Sequence, residues 1–136
     1  MKMKSTIRGF AAASVIALNA PFATAQTIPP ACQRYVTALK VCGADLIRYS
    51  ALTAPEQASD TRAKLDADSK GLISMFQEGV RSRGEQAMSQ ICASPAFTSQ
   101  LLPHITNMMT ALSFGDATSE RCEQAYTSLV MPVIAQ

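Results

Sequence analysis

From residue 28 onward the apolar side chains recur at three- and four-residue steps, the period of helices that bury one stripe. No segment keeps the two-residue alternation of a strand. A first helix is predicted from about Pro30 to Tyr49, with Cys32, Tyr35, Val36, Leu39, Cys42, Leu46 and Ile47 on the stripe and Gln33, Arg34, Lys40 and Arg48 largely outside it. Pro29 and Pro30 open it, where a missing amide donor costs least. Thr53-Ala54-Pro55-Glu56 has capping-box spacing and starts a second helix that runs to about Val80. Its apolar face is Ala58, Leu65, Leu72, Ile73, Phe76 and Val80. Asp60, Arg62, Lys64, Asp66, Asp68 and Lys70 mix their signs around the rest, the composition of a solvated face. Gly71 costs about 1 kcal/mol relative to alanine inside a helix and marks a place where this one can break.

Ser82-Arg83-Gly84-Glu85 repeats the capping spacing and starts a short third helix, ending near Ala93, with Met88, Ile91 and Cys92 inward. Ser94 caps the fourth helix and Pro95 fills its first position. That helix buries Phe97, Leu101, Ile105, Met108, Met109 and Leu112, and Pro103 inside it is expected to kink or split it. Gly115-Asp116 forms a loop, and Asp116 or Thr118 caps a fifth helix carrying Cys122, Ala125, Tyr126, Leu129 and Val130, which Pro132 ends. Such short connections place successive helices antiparallel. The pattern therefore predicts an all-α, up-and-down bundle of four to five helices.

Cys32, Cys42, Cys92 and Cys122 each fall on the inner face of a helix. Four cysteines allow three pairings. Cys32 and Cys42 share one helix and stand about 15 Å apart at 1.5 Å per residue, too far for a bridge that needs Cα atoms within about 7 Å. Each must reach another helix. If five helices alternate up and down, the first and the fifth start at the same end. This favours Cys32–Cys122 and Cys42–Cys92.

Before residue 26 the pattern changes. Lys2, Lys4 and Arg8 precede an apolar run from Phe10 to Ala20, then Pro21 and the A-x-A site Ala23-Thr24-Ala25. This is the layout of a secretory signal peptide of bacterial style, with residues 1–25 removed and 26–136 left as a single helical domain. The apolar run is shorter than the ~20 residues a membrane-crossing helix needs, so no transmembrane segment is expected after cleavage. The expected location is periplasmic or secreted, where inward-facing cysteines become structural disulfides. Losing the three basic residues of the leader turns the net charge from +2 to −1, so the basic balance of the whole chain is no argument for nucleic acid. The remaining 111 residues contain no Trp and bury a modest core, about 65% of the extended-chain surface.

Candidate chemistry is sparse. There is no C-x-x-C, no C-x-x-C-H, no zinc-type spacing, no H-E-x-x-H and no G-x-S-x-G. His104, the single histidine, has Met108 four residues on, a pairing that suits Cu(I) or haem, but Met108 and Met109 also continue the apolar stripe. Neither metal nor cofactor is expected. The carboxylates read as scattered over charged faces, leaving no general acid–base candidate, and no enzyme is expected. Binding remains. Tyr35 is an aromatic anchor candidate, and Pro103 beside Phe97, Leu101, His104 and Met108 is a place for an apolar groove.

Ile28-Pro29-Pro30-Ala31-Cys32-Gln33-Arg34-Tyr35-Val36, with Gln90-Ile91-Cys92 further on, resembles the opening of a group of small exported bacterial helical proteins that share a C-x-x-Y start, a charged middle helix and a later cysteine preceded by Gln. The resemblance covers residues 28–93 at most and implies no activity. In size and compartment the chain is also similar to periplasmic immunity proteins that neutralise type VI effectors and to acid-stress chaperones. The expectation is a non-catalytic module that binds a protein partner in the cell envelope, an inhibitor or immunity protein being one form. The alternative is a carrier or chaperone for apolar ligands or unfolded proteins.

Overall fold

The computed structural model describes residues 27–134. The predicted leader, residues 1–25, lies outside them. Five helices follow in order: α1 Pro30–Thr53, α2 Pro55–Arg83, α3 Glu85–Ala93, α4 Pro95–Phe114 and α5 Glu120–Ile134. There is no strand among the described residues, and no helix among them is long and apolar enough to cross a membrane.

Local chemistry sets the boundaries. α1 runs four residues beyond the expected Tyr49 and stops because Ala54 precedes Pro55 and is driven out of helical geometry, to φ −148° and ψ 69°. Thr53 is thus still helical, and its hydroxyl donates back to the Tyr49 carbonyl at 2.9 Å, so the expected capping box with Glu56 does not form. The second expected box fails for a related reason. α2 continues to Arg83 and ends at Gly84, whose φ of 89° suits glycine, which leaves Ser82 inside α2 with its hydroxyl on the Glu78 carbonyl. Ser94 does cap α4, accepting from the Phe97 amide at 3.3 Å.

Neither proline breaks its helix. α4 passes through Pro103 uninterrupted, and the carbonyl of Ser99, which loses its helical donor, belongs to an exposed residue open to water. α5 continues past Pro132 to Ile134, and the Ser128 carbonyl, which Pro132 leaves without a donor, lies 3.4 Å from the Arg34 guanidinium. Ser119, not Asp116 or Thr118, caps α5, its hydroxyl accepting from the Cys122 amide at 3.2 Å.

α1 is the central helix. It packs against all four others. The backbone of α2 approaches only α1 and α3, and that of α5 only α1 and α4. Directions follow from the contacts. Leu65 of α2 packs at the level of Gly43, while Phe76 meets Tyr35, so α2 runs antiparallel to α1. Tyr35 lies beside Thr98 at one end and Tyr49 against Gly115 at the other, so α4 runs parallel to α1. Asp45 meets Ser119 and Arg34 meets Ser128, so α5 returns antiparallel. The four long helices go up, down, up and down. α3, nine residues or about 14 Å long, turns the corner at the Pro29 end and does not count as an arm of the bundle.

That parity decides the disulfides. The bonds are Cys32–Cys92, with Cα atoms 5.1 Å apart, and Cys42–Cys122, at 4.8 Å, so the expected Cys32–Cys122 and Cys42–Cys92 pairing is overturned. Treating α3 as a full arm inverts the direction of the two helices after it. With α3 a corner, Cys92 stays at the end where Cys32 begins α1, and Cys122 enters α5 at the level of Cys42. Both bridges are fully buried.

Candidate functional site

Because α2 and α4 both rest on α1 without their backbones meeting, a cleft of about 380 Å³ opens between them. Tyr35 and Leu39 of α1, with Ile105 of α4, form its floor. Leu72 and Met75 make the α2 wall, Leu101 the α4 wall. The polar groups are few: Lys64 and Asp68 from α2, paired at 2.8 Å, and His104 from α4. At the Pro29 end the two walls are joined by aromatic rings. Phe97 stands edge-on to Tyr35 with centroids 5.6 Å apart, and Phe76 lies 6.0 Å from Phe97.

The five residues singled out for binding separate into three places. Leu101 and His104 line the cleft. Tyr35 is at its floor but almost wholly buried, so it is no surface anchor; its hydroxyl sits 2.9 Å from the Cys92 carbonyl and 2.6 Å from Thr98 Oγ1. Phe97 is half-buried in the aromatic cluster beside the cleft. Met108 is in the core with Ile105 and Leu112 and does not reach the cleft, which splits the His104–Met108 pair between two environments. Among the described residues no three of His, Cys, Asp and Glu stand close enough to hold a metal ion.

The α2 wall was missed. Lys64, Ala67, Asp68, Gly71, Leu72 and Met75 follow one another at helical spacing and line the cleft together. Read as a charge run, their polar members looked like plain solvated surface. The signal was that Leu72 and Met75 extend the apolar arc of α2 beyond the width one neighbouring helix can cover.

Asp45 was also misread. It is not on a charged face but buried, at 2% exposure, where α1 meets the start of α5. Burial pushes its carboxyl up, but the Ser119 hydroxyl and backbone amide, the latter at 2.8 Å, together with the Arg48 guanidinium, more than offset this and hold it below the usual value. Asp45 lies outside the cleft lining. Its geometry is that of a fastener between α1 and α5. The sign was in the sequence: Asp45 interrupts the apolar run Val41-Cys42-Gly43-Ala44-Asp45-Leu46-Ile47.

Comparison with protein-family models, with curated proteins and with solved structures finds no match to this chain.

Proposed function

We propose that this is a non-catalytic binding protein of an oxidising compartment, periplasmic or secreted, and that it carries an apolar ligand in the cleft between α2 and α4. One observation carries this reading: an open space of about 380 Å³ with aliphatic, thioether and aromatic walls and its few polar side chains limited to Lys64, Asp68 and His104. Sites for small ligands share this size and this balance of many apolar contacts with few polar ones. The compartment is supported by the two disulfides, which engage all four cysteines.

Nile red, a neutral apolar fluorophore, tests the reading. Saturable enhancement at one equivalent is expected from the oxidised protein, and Leu101→Glu, checked for its helical content by circular dichroism, is expected to abolish it. A wild-type protein that gives no saturable signal overturns the assignment.

A second reading is a protein partner in the cell envelope. It is favoured by Leu52 and Phe114, 85% and 87% exposed, which stand at the same end of the bundle, where Tyr49 meets Gly115. Replacing both by Ser tests it: co-purification with a specific envelope protein is expected to be lost, and its persistence counts against the reading.

A further inference from the structure

Gly71 is a helical glycine without a reason inside the protein. At Gly79 an added Cβ meets the Met88 thioether, and at Gly115 it meets the Tyr49 ring, so those glycines make room for neighbours. A Cβ at Gly71 meets nothing within 4 Å, and its backbone conformation is ordinary helix, open to any residue. Alanine there would strengthen α2. Yet Gly71 lines the cleft, between Asp68 and Leu72. The protein thus carries a weakened helix at an exposed position of the cleft lining where there is room for a side chain. Bare backbone at this point of the lining allows close approach of a ligand.

The polar groups around the cleft indicate which head such a ligand carries. Lys64 spends one donor on Asp68, which cancels the one acid lining the cleft and leaves two ammonium hydrogens over. His104, across the cleft on α4, is exposed and has no hydrogen-bond or ion-pair partner among the described residues. Lys64 and His104 thus each offer a donor to the cleft, while the Asp68 charge is already paired with Lys64 through Oδ2. A carboxylate or similar anion fits these donors, and a cationic head would compete with Lys64 for Asp68.

Resting on the carrier reading above, we infer that the cleft binds a single-chain amphiphile with an anionic head, its alkyl chain lying over Gly71 between Leu72 and Leu101 and its head between Lys64 and His104. The unbranched chain is inferred from the missing side chain at Gly71, which leaves bare backbone in the lining next to Leu72 and near Met75, a flexible side chain 44% exposed.

Calorimetry on the oxidised full-length mature chain with three probes of equal chain length tests this. Decanoate is expected to bind about tenfold more tightly than decanol, the worth of a charge-assisted hydrogen bond, and decyltrimethylammonium more weakly than either. His104→Gln combined with Lys64→Gln is expected to remove the preference for decanoate and leave decanol unchanged. Gly71→Ala is expected to raise Tm while lowering affinity for decanoate and decanol alike, and Gly71→Leu to abolish both. A structural role for this glycine cannot give that opposition of sign, because there stability and binding would fall together. If none of the probes binds, the carrier reading itself fails. If decanol or decyltrimethylammonium equals decanoate, the anionic head is wrong and the carrier survives. If Gly71→Leu binds decanoate like the wild type, the placement of the chain is wrong.

Discussion

α5 and α2 flank the same central helix and are held by different means. α5 is tied to α1 by the Cys42–Cys122 bridge, by Asp45 on the Ser119 amide, and by Arg34 near the Ser128 carbonyl. The Met109 thioether also rests on the bridge, 3.1 Å from Cys122 Sγ. α2 has no cysteine, and among the described residues every side-chain hydrogen bond it makes, such as Lys64–Asp68 and Arg81–Glu78, stays within α2. Its hold on α1 is apolar packing through Leu65, Leu72, Ile73 and the fully buried Phe76. Covalent and polar fasteners thus hold α5, whereas packing alone holds α2, which is one wall of the cleft. A wall without directional bonds can shift by small steps without leaving a buried polar group unpaired, which is what the proposed carrier role would ask of it.

The largest effect expected from breaking this asymmetry comes from the bridges. Replacing Cys42 and Cys122 together by Ser, or Cys32 and Cys92 together, is expected to cost about 4 kcal/mol in each case by the loop-entropy relation. The two costs together should fall short of their sum, because the loops overlap. Urea denaturation of the three variants measures this. Next comes Phe76→Ala, expected to cost about 3 kcal/mol or more from burial and cavity terms. By hydrogen exchange the added loss of protection should concentrate in α2 and spare α5. Equal losses in both helices would show that they open as one unit and that the asymmetry has no energetic content.

Asp45→Asn is smaller, about 1 kcal/mol at neutral pH, since the amide oxygen still accepts from Ser119 and the lost partner, Arg48, is 70% exposed. Its pH dependence is sharper. A carboxyl held below its ordinary value of 3.8 contributes stability that is complete above that pH and disappears as pH falls through the lower folded value. The wild type should therefore lose stability on acidification below about pH 3.8, and Asp45→Asn should flatten that limb. An unchanged acid limb would remove Asp45 from the list of fasteners.

The helices were legible because burial on one stripe leaves a three- and four-residue period, and all five appear near the expected places. Their ends were less so. Thr53 and Ser82 have the right chemistry for caps, but the conformations of Ala54 and Gly84 decide where the chain leaves helical geometry. The pairing error had a readable remedy, since a nine-residue α3 is too short to cross a bundle whose longest helix has 29 residues. Length, not only number, sets the parity of an up-and-down fold. Of the cleft, Leu101 and His104 were readable from their place beside Pro103. The α2 wall was not, because a cleft exists only where two helices fail to meet, and periodicity reports which face is apolar but not whether a neighbour covers it.

The two bridges interleave: the first cysteine of the described chain bonds to the third, and the second to the fourth. During synthesis Cys32 and Cys42 emerge long before either partner, and a chain oxidised in order of emergence would join them to each other. That bond and the α1 helix exclude one another, since the helix holds the two cysteines too far apart to bridge. Early formation of α1 therefore guards the native pairing, and a Cys32–Cys42 bond made before it must be undone by thiol–disulfide exchange.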